Sequence, residues 1–93
     1  MKVNVKFNGM PILYKTLNKK KEILIEFPGK TLRELVDYLV GKFGAPIKKA
    51  LLDNSNDIDM EIRVVLNTVT YLSGDRMDTP LKEGDTLAFM GAS

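Results

Sequence analysis

The 93 residues, of which 44% are hydrophobic and 28% charged, are enough for one small core built from one sheet and one or two helices. We therefore expect a single soluble domain over residues 1–93. Cysteine and histidine are both absent, which excludes disulfides, thiolate nucleophiles and zinc sites with nitrogen or sulfur ligands. No apolar run reaches the roughly 18 residues of a membrane span, and the chain opens without a signal-peptide pattern, so a cytoplasmic protein with no membrane partner is expected.

The net charge of +2 is unevenly distributed along the chain. Residues 1–49 hold eleven Lys and Arg against four Asp and Glu, while residues 50–93 hold three against eight. Two interpretations stay open. The division can place opposite charges on different faces and so orient a protein partner, or it can reflect ordinary solvation of a surface.

In chain order, polar and apolar residues alternate in three segments, which is the pattern of strands with one solvated face. These segments are Met1–Phe7, Lys21–Phe27 and Ile62–Asn67. The residues between the first two segments, through Asn18, lack a clean period and predict a loop. Val69–Leu72 is a candidate for a short fourth strand before a Ser73-Gly74-Asp75 turn, and Gly84-Asp85 predicts a turn into a last apolar strand, Thr86–Met90.

One long helix is predicted after the second strand. Thr31 followed by Glu34 is a capping-box pattern, and Gly44 with Pro46 predicts where the helix ends. The apolar residues between these signals fall on one stripe: Leu32, Leu35, Val36, Leu39 and Phe43. Ile47–Leu52 suggests a second, short helical segment. The polar run Asp53–Asp57 predicts an exposed, mobile loop.

This order of elements predicts the fold class α+β, as a ubiquitin-like β-grasp roll. A mixed sheet of four to five strands would wrap one main helix, with its first and last strands side by side in the middle. The alternative ferredoxin-like fold needs a second long helix before the last strand, and residues 68–85 do not supply one.

Three patterns of charged residues do not meet the requirements of a chemical site. The run Asp53–Asp57 lacks the glycine and the glutamate of a calcium loop, so no metal site is expected. Lys19–Lys21 has no interleaved aromatic residues for base stacking, so no nucleic-acid partner is expected. Glu61, Glu83 and Asp85 are too far apart in sequence to argue an acid-base pair. We expect no catalytic residue and no cofactor.

Four segments together resemble the ThiS and MoaD family of small ubiquitin-like sulfur carriers. They are the opening Met1–Phe7, the helix entry Thr31–Leu35, the strand Val64–Asn67 and the ending Leu81–Met90 with its Gly84-Asp85 turn. The resemblance implies a substrate of enzymes rather than an enzyme. In the family, a partner adenylates the terminal carboxylate, which becomes a thiocarboxylate that donates sulfur in molybdopterin- or thiamine-type cofactor biosynthesis. The implied protein partners are a ubiquitin-activating-type adenylating enzyme and a sulfur-accepting synthase subunit.

The family tail ends in a diglycine, and this chain departs from that pattern. Only Gly91 corresponds to a motif glycine; Ala92 and Ser93 follow it, and the usual preceding prolines are missing. The resemblance makes Gly91 the attachment point after processing, and Phe89, Met90 and Gly91 the tail that docks to a partner. Either a protease removes Ala92 and Ser93, or the last strand frays on binding, since three residues beyond Met90 reach at most about 10 Å.

A second interpretation is a non-conjugating β-grasp interaction module or small regulatory subunit. Such a module would bind a partner through the outer face of its sheet. We expect Leu24, Val65 and Leu87 to supply the apolar contacts if they share that face.

Overall fold

The computed structural model describes residues 1–10, 13, 22–72 and 75–91. Five strands, two α-helices and one 3₁₀ turn are described: β1 (Lys2–Asn8), β2 (Glu22–Glu26), α1 (Leu32–Phe43), α2 (Ala45–Leu51), β3 (Arg63–Leu66), β4 (Thr70–Tyr71), the turn Arg76–Asp78 and β5 (Thr86–Met90). Of the predicted loop through Asn18, the structure describes Gly9, Met10 and Leu13. The rest of that loop, the run Lys19–Lys21, Ser73-Gly74 and the pair Ala92-Ser93 lie outside the described residues.

The five strands form one mixed sheet in the order β2-β1-β5-β3-β4. β1 and β5 are parallel and central, and the other three pairs are antiparallel. This arrangement confirms the predicted β-grasp fold, including the adjacency of the first and last strands. No helix in the described ranges is long and apolar enough to cross a membrane.

The core lies between one face of the sheet and the helices. Leu32, Leu35, Val36 and Leu39 of α1 are buried in it, as the predicted stripe requires. Phe43 at the end of the stripe is only partly buried and packs against the edge of the core. Met77 and Leu81, which follow the short strand β4, are buried in the same core.

Local signals set the ends of α1. Thr31 is the N-cap residue, and its hydroxyl oxygen accepts a hydrogen bond from the Glu34 amide at 3.4 Å. The Glu34 carboxylate accepts from the Lys30 amide, one residue before the cap, and therefore completes a variant of the predicted capping box. At the other end, Gly44 adopts φ +82° and donates its amide to the Val40 carbonyl.

The acidic loop after α2 is exposed, as expected, and it carries hydrogen bonds of its own. The Asp53 carboxylate accepts from the amides of Ser55 and Asp57, and Leu52 forms an isolated bridge with Ile58. Ile58 is buried, so this loop is anchored at its far end. The mobility expected of this loop stays a prediction.

Candidate functional site

A hydrogen-bonded turn fixes where β5 begins. The Asp85 carboxylate accepts from the Lys82 amide at 2.8 Å and from the Asn67 side-chain amide at 3.1 Å. The Asn67 side-chain oxygen in turn accepts from the Thr86 amide at 2.8 Å. These bonds join the start of β5 to the β3–β4 turn, so the far end of the strand has a defined position. Asp85 is therefore occupied with a structural role.

The side chains of β5 alternate between the core and the outer face of the sheet. Leu87 and Phe89 are fully buried, and the Phe89 ring stacks on Phe7 with centroids 5.5 Å apart and an interplanar angle of 16°. The prediction that Phe89 belongs to a partner-docking tail is therefore wrong for its side chain, which is an anchor of the core. The buried Phe89 ring anchors the C-terminal end of β5 in the core.

Met90 and Gly91 lie at the exit from the sheet. Met90 is the last residue of β5, as predicted, and its half-buried side chain is on the outer face. The Gly91 amide donates to the Asn8 carbonyl at 2.8 Å, which continues the β1–β5 pairing by one residue. The predicted attachment residue therefore touches the end of β1.

The three residues predicted to share the outer face do not form one patch. Leu87 faces the core, because it alternates with Ala88 and is fully buried, so its assignment to the outer face was wrong. Leu24 and Val65 are both on the outer face, but β1 and β5 lie between their strands. Three strand spacings of about 4.8 Å place them at least about 14 Å apart. Leu24 is exposed, and its described neighbours on this face are polar: Asn4 opposite it and Glu22 and Glu26 on its own strand.

A different set of apolar residues is contiguous on the outer face. Val65 lies directly opposite Ala88 on β5 and Tyr71 on β4, and Met90 is the next outer residue of β5. We call Val65, Tyr71, Ala88 and Met90 the outer strip. Val65 is only 5% exposed although it points away from the core, whereas Tyr71 is 65% exposed. The sequence pattern does not reveal this set, since it depends on which residues of different strands pair.

Basic residues flank the outer strip. Lys6 on β1 is opposite Ala88, and Arg63 on β3 is opposite Met90. These two cations come from different halves of the chain, so the charge asymmetry of the sequence does not map simply onto this face. The strip is continuous with the exit of the tail at Met90 and Gly91.

No protein-family model matches the chain, and no curated protein matches it. The structure of the Amycolatopsis orientalis BexX/CysO complex contains a chain that is 27% identical, with a TM-score of 0.76; the match covers 98% of this chain and 96% of that one. A chain from the complex of subunits 1 and 2 of the molybdopterin-converting factor of Helicobacter pylori is 26% identical, with a TM-score of 0.62 and coverage of 100% and 96%.

A third similar structure is SAMP1 from Haloferax volcanii, at 17% identity and a TM-score of 0.74, with 100% of this chain and 97% of that chain covered. At this identity the likeness concerns the fold alone. Fold and exit geometry together define a small ubiquitin-like β-grasp protein. Within that class, the neighbours confirm the resemblance to the ThiS and MoaD type of sulfur carrier that the sequence segments indicated.

Proposed function

We propose that this chain is a sulfur-carrier-type protein that presents its C-terminal tail to a protein partner. The observation that carries the proposal is the geometry of β5, whose buried half holds Leu87 and Phe89 while its end delivers Gly91 to the margin of the sheet. Two structural neighbours with more than a quarter of their residues identical come from a BexX/CysO complex and from a molybdopterin-converting factor. Both are complexes, which supports a protein partner for this chain.

In this proposal the chain is a substrate of enzymes and not an enzyme. Hydrolysis of the Gly91–Ala92 peptide bond leaves a carboxylate on Gly91. An oxygen of that carboxylate attacks the α-phosphorus of ATP on an adenylating enzyme of the ubiquitin-activating type, and pyrophosphate leaves. A hydrosulfide-equivalent nucleophile then displaces AMP, forming a carbon–sulfur bond as the carbon–oxygen bond breaks. The resulting thiocarboxylate serves a sulfur-accepting synthase subunit in a cofactor pathway of the molybdopterin or thiamine type.

The first experiment is an intact-mass measurement of the protein isolated from its own cell. We expect the loss of Ala92 and Ser93, with a fraction of the molecules carrying sulfur in place of one terminal oxygen. A full-length, unmodified chain that the adenylating enzyme of the same cell does not activate would contradict the carrier function.

The outer strip supports a second candidate function, a non-conjugating interaction module. Tyr71 is 65% exposed beside the covered Val65, and Lys6 and Arg63 adjoin the strip, so the face suits a partner with an apolar centre and acidic edges. A charge at Val65 would also disturb the fold, since Val65 is buried. Tyr71→Glu is therefore the better test of this face.

Leu24→Glu is the matched control, because Leu24 is equally exposed at 65% and lies on the same face away from the strip. An interaction module predicts that Tyr71→Glu abolishes partner binding, that Leu24→Glu does not, and that removal of residues 91–93 has no effect. A carrier predicts that the same removal abolishes function. A pull-down and an activity assay on the three variants separate the two.

A further inference from the structure

Two glycines that are 82 positions apart in the sequence meet at the end of the β1–β5 pair. Gly9 directly follows β1 and Gly91 directly follows β5. A Cβ atom added to Gly91 would lie 2.7 Å from the Gly9 carbonyl oxygen and 3.2 Å from Cγ of Met10. A Cβ atom added to Gly9 would lie 3.0 Å from the Gly91 carbonyl oxygen. The two backbones therefore touch where any side chain would separate them.

Two further features strengthen this contact. The Gly91 amide donates to the Asn8 carbonyl at 2.8 Å, so a backbone hydrogen bond holds the two segments together. Gly9 adopts φ +70°, a conformation that residues with a Cβ rarely take. The glycine at position 91 is thus required by packing within this chain, independently of any partner groove.

We propose that Asn8, Gly9, Met10 and Gly91 form a glycine latch, which holds the tail against the sheet and must open before a partner can act on Gly91. The carbonyl oxygen of Gly91 lies against Gly9, and its carbonyl carbon is 3.7 Å from the position of an added Gly9 Cβ. The group that would be activated therefore has the Gly9 backbone close to one side. The opening step rests on the proposed carrier function, whereas the latch does not.

The latch accounts for how a short tail is presented. β5 ends at Met90, and the ring of the preceding residue, Phe89, is stacked on Phe7. Release of Gly91 from Asn8 frees the backbone beyond Met90 without disturbing that ring. The unit that opens is then one residue at the margin of the sheet, and the strand need not fray.

Hydrogen exchange of the full-length chain, followed amide by amide by NMR, tests the latch. In the unaltered protein we expect the Gly91 amide to exchange about tenfold more slowly than an unstructured glycine, because it is hydrogen bonded at a sheet end. Gly9→Ala should remove that protection, since the new methyl group meets the Gly91 carbonyl oxygen. Met10→Ala, which keeps the Gly9 backbone unstrained, should lower the protection in part and serves if Gly9→Ala folds poorly.

Gly84→Ala is the matched control. Gly84 has a similar positive φ of +85°, but an added Cβ there meets nothing within 4 Å. The Gly84→Ala substitution therefore imposes the same kind of backbone strain without touching Gly91. Equal loss of Gly91 protection in Gly9→Ala and Gly84→Ala, or unchanged protection in Gly9→Ala and Met10→Ala, would overturn the latch.

The opening step is tested by adding the adenylating enzyme of the same cell to the full-length chain. We expect exchange at Gly91 to accelerate about tenfold while the Leu87 amide stays protected. Continued protection of Gly91 in a formed complex would overturn the opening step. If neither the full-length chain nor the chain ending at Gly91 forms a complex, the carrier function fails, and the free-chain comparison still decides whether the latch exists.

Discussion

At the scale of single residues, Arg76 shows how a surface-adjacent side chain organises a loop. Its guanidinium donates to the backbone carbonyls of Ile58 at 3.0 Å and Asp59 at 3.2 Å, and also to that of Ile62. One planar cation thus closes the loop between α2 and β3 onto the 3₁₀ turn. Such a fork of donors suits arginine and not lysine.

Arg76→Met should lower the free energy of unfolding by about 2 kcal/mol, because three part-buried carbonyls lose a charged donor. Chemical denaturation followed by circular dichroism measures the change. Arg33→Met is the control, since Arg33 is exposed on α1 and its replacement should stay within about 0.5 kcal/mol. Equal effects of the two substitutions would contradict the role of Arg76.

Sequence reasoning could not find this role. Arg76 bonds to carbonyl groups 14 to 18 positions away, and backbone carbonyls carry no residue-type signal. Asn67 is a similar case: its side chain bridges Asp85 and the Thr86 amide, about twenty positions further along. By contrast, the Thr31 cap was predictable because its partner Glu34 is three residues away.

At the scale of elements, α1 and its end offer two glycines with opposite requirements. Gly41 lies in the exposed part of the helix, where an added Cβ meets nothing within 4 Å. Gly44 follows the helix with φ +82° and ψ −157°, a region essentially reserved for glycine. The same substitution is therefore expected to act in opposite directions three residues apart.

Gly41→Ala should stabilise the fold by about 0.5–1 kcal/mol, because alanine restricts the unfolded chain and favours the helix. Gly44→Ala should destabilise it by about 2 kcal/mol through backbone strain. Thermal unfolding of the two variants checks both signs, and a gain of stability in Gly44→Ala would refute the assignment.

The sequence predicted which segments form strands, but it did not predict which face of the sheet each side chain of β5 occupies. Alternation placed β1, β2 and β3 within one or two residues of their observed limits, because one face of each carries polar residues. In β5 every residue except Thr86 is apolar, so polar and apolar residues do not alternate and the sequence does not show which side chains face the core. Leu87 was therefore placed on the wrong face. The orientation is set by pairing, which puts Phe89 beside Phe7 on β1 and Val64 on β3.

At the scale of the whole molecule, β5 joins the two halves of the described sheet. β5 lies between β1 and β3, and among the described strands it is the one that connects the pair β1–β2 to the pair β3–β4. The fold class followed from the order of elements. The meeting of Gly9 and Gly91 did not, because it depends on the register between the first and last strands.

A chain ending at Gly84 should therefore fail to fold cooperatively. It loses two fully buried side chains of β5, Leu87 and Phe89, each contributing roughly 2–3 kcal/mol of apolar burial, besides the central strand itself. A chain ending at Gly91 is the control and should keep one cooperative thermal transition. A cooperative transition in the shorter chain would show that β5 is dispensable.

The parallel pairing of β1 and β5 also determines how the molecule responds to force. Tension applied between Lys2 and Gly91 acts along both strands in opposite directions, so their shared hydrogen bonds are loaded together in shear. Tension between Lys2 and Thr68 does not load the tail end of β5. Pulling single molecules from the first pair of points should require the larger force, which would make a chain held by its tail resistant to mechanical extraction.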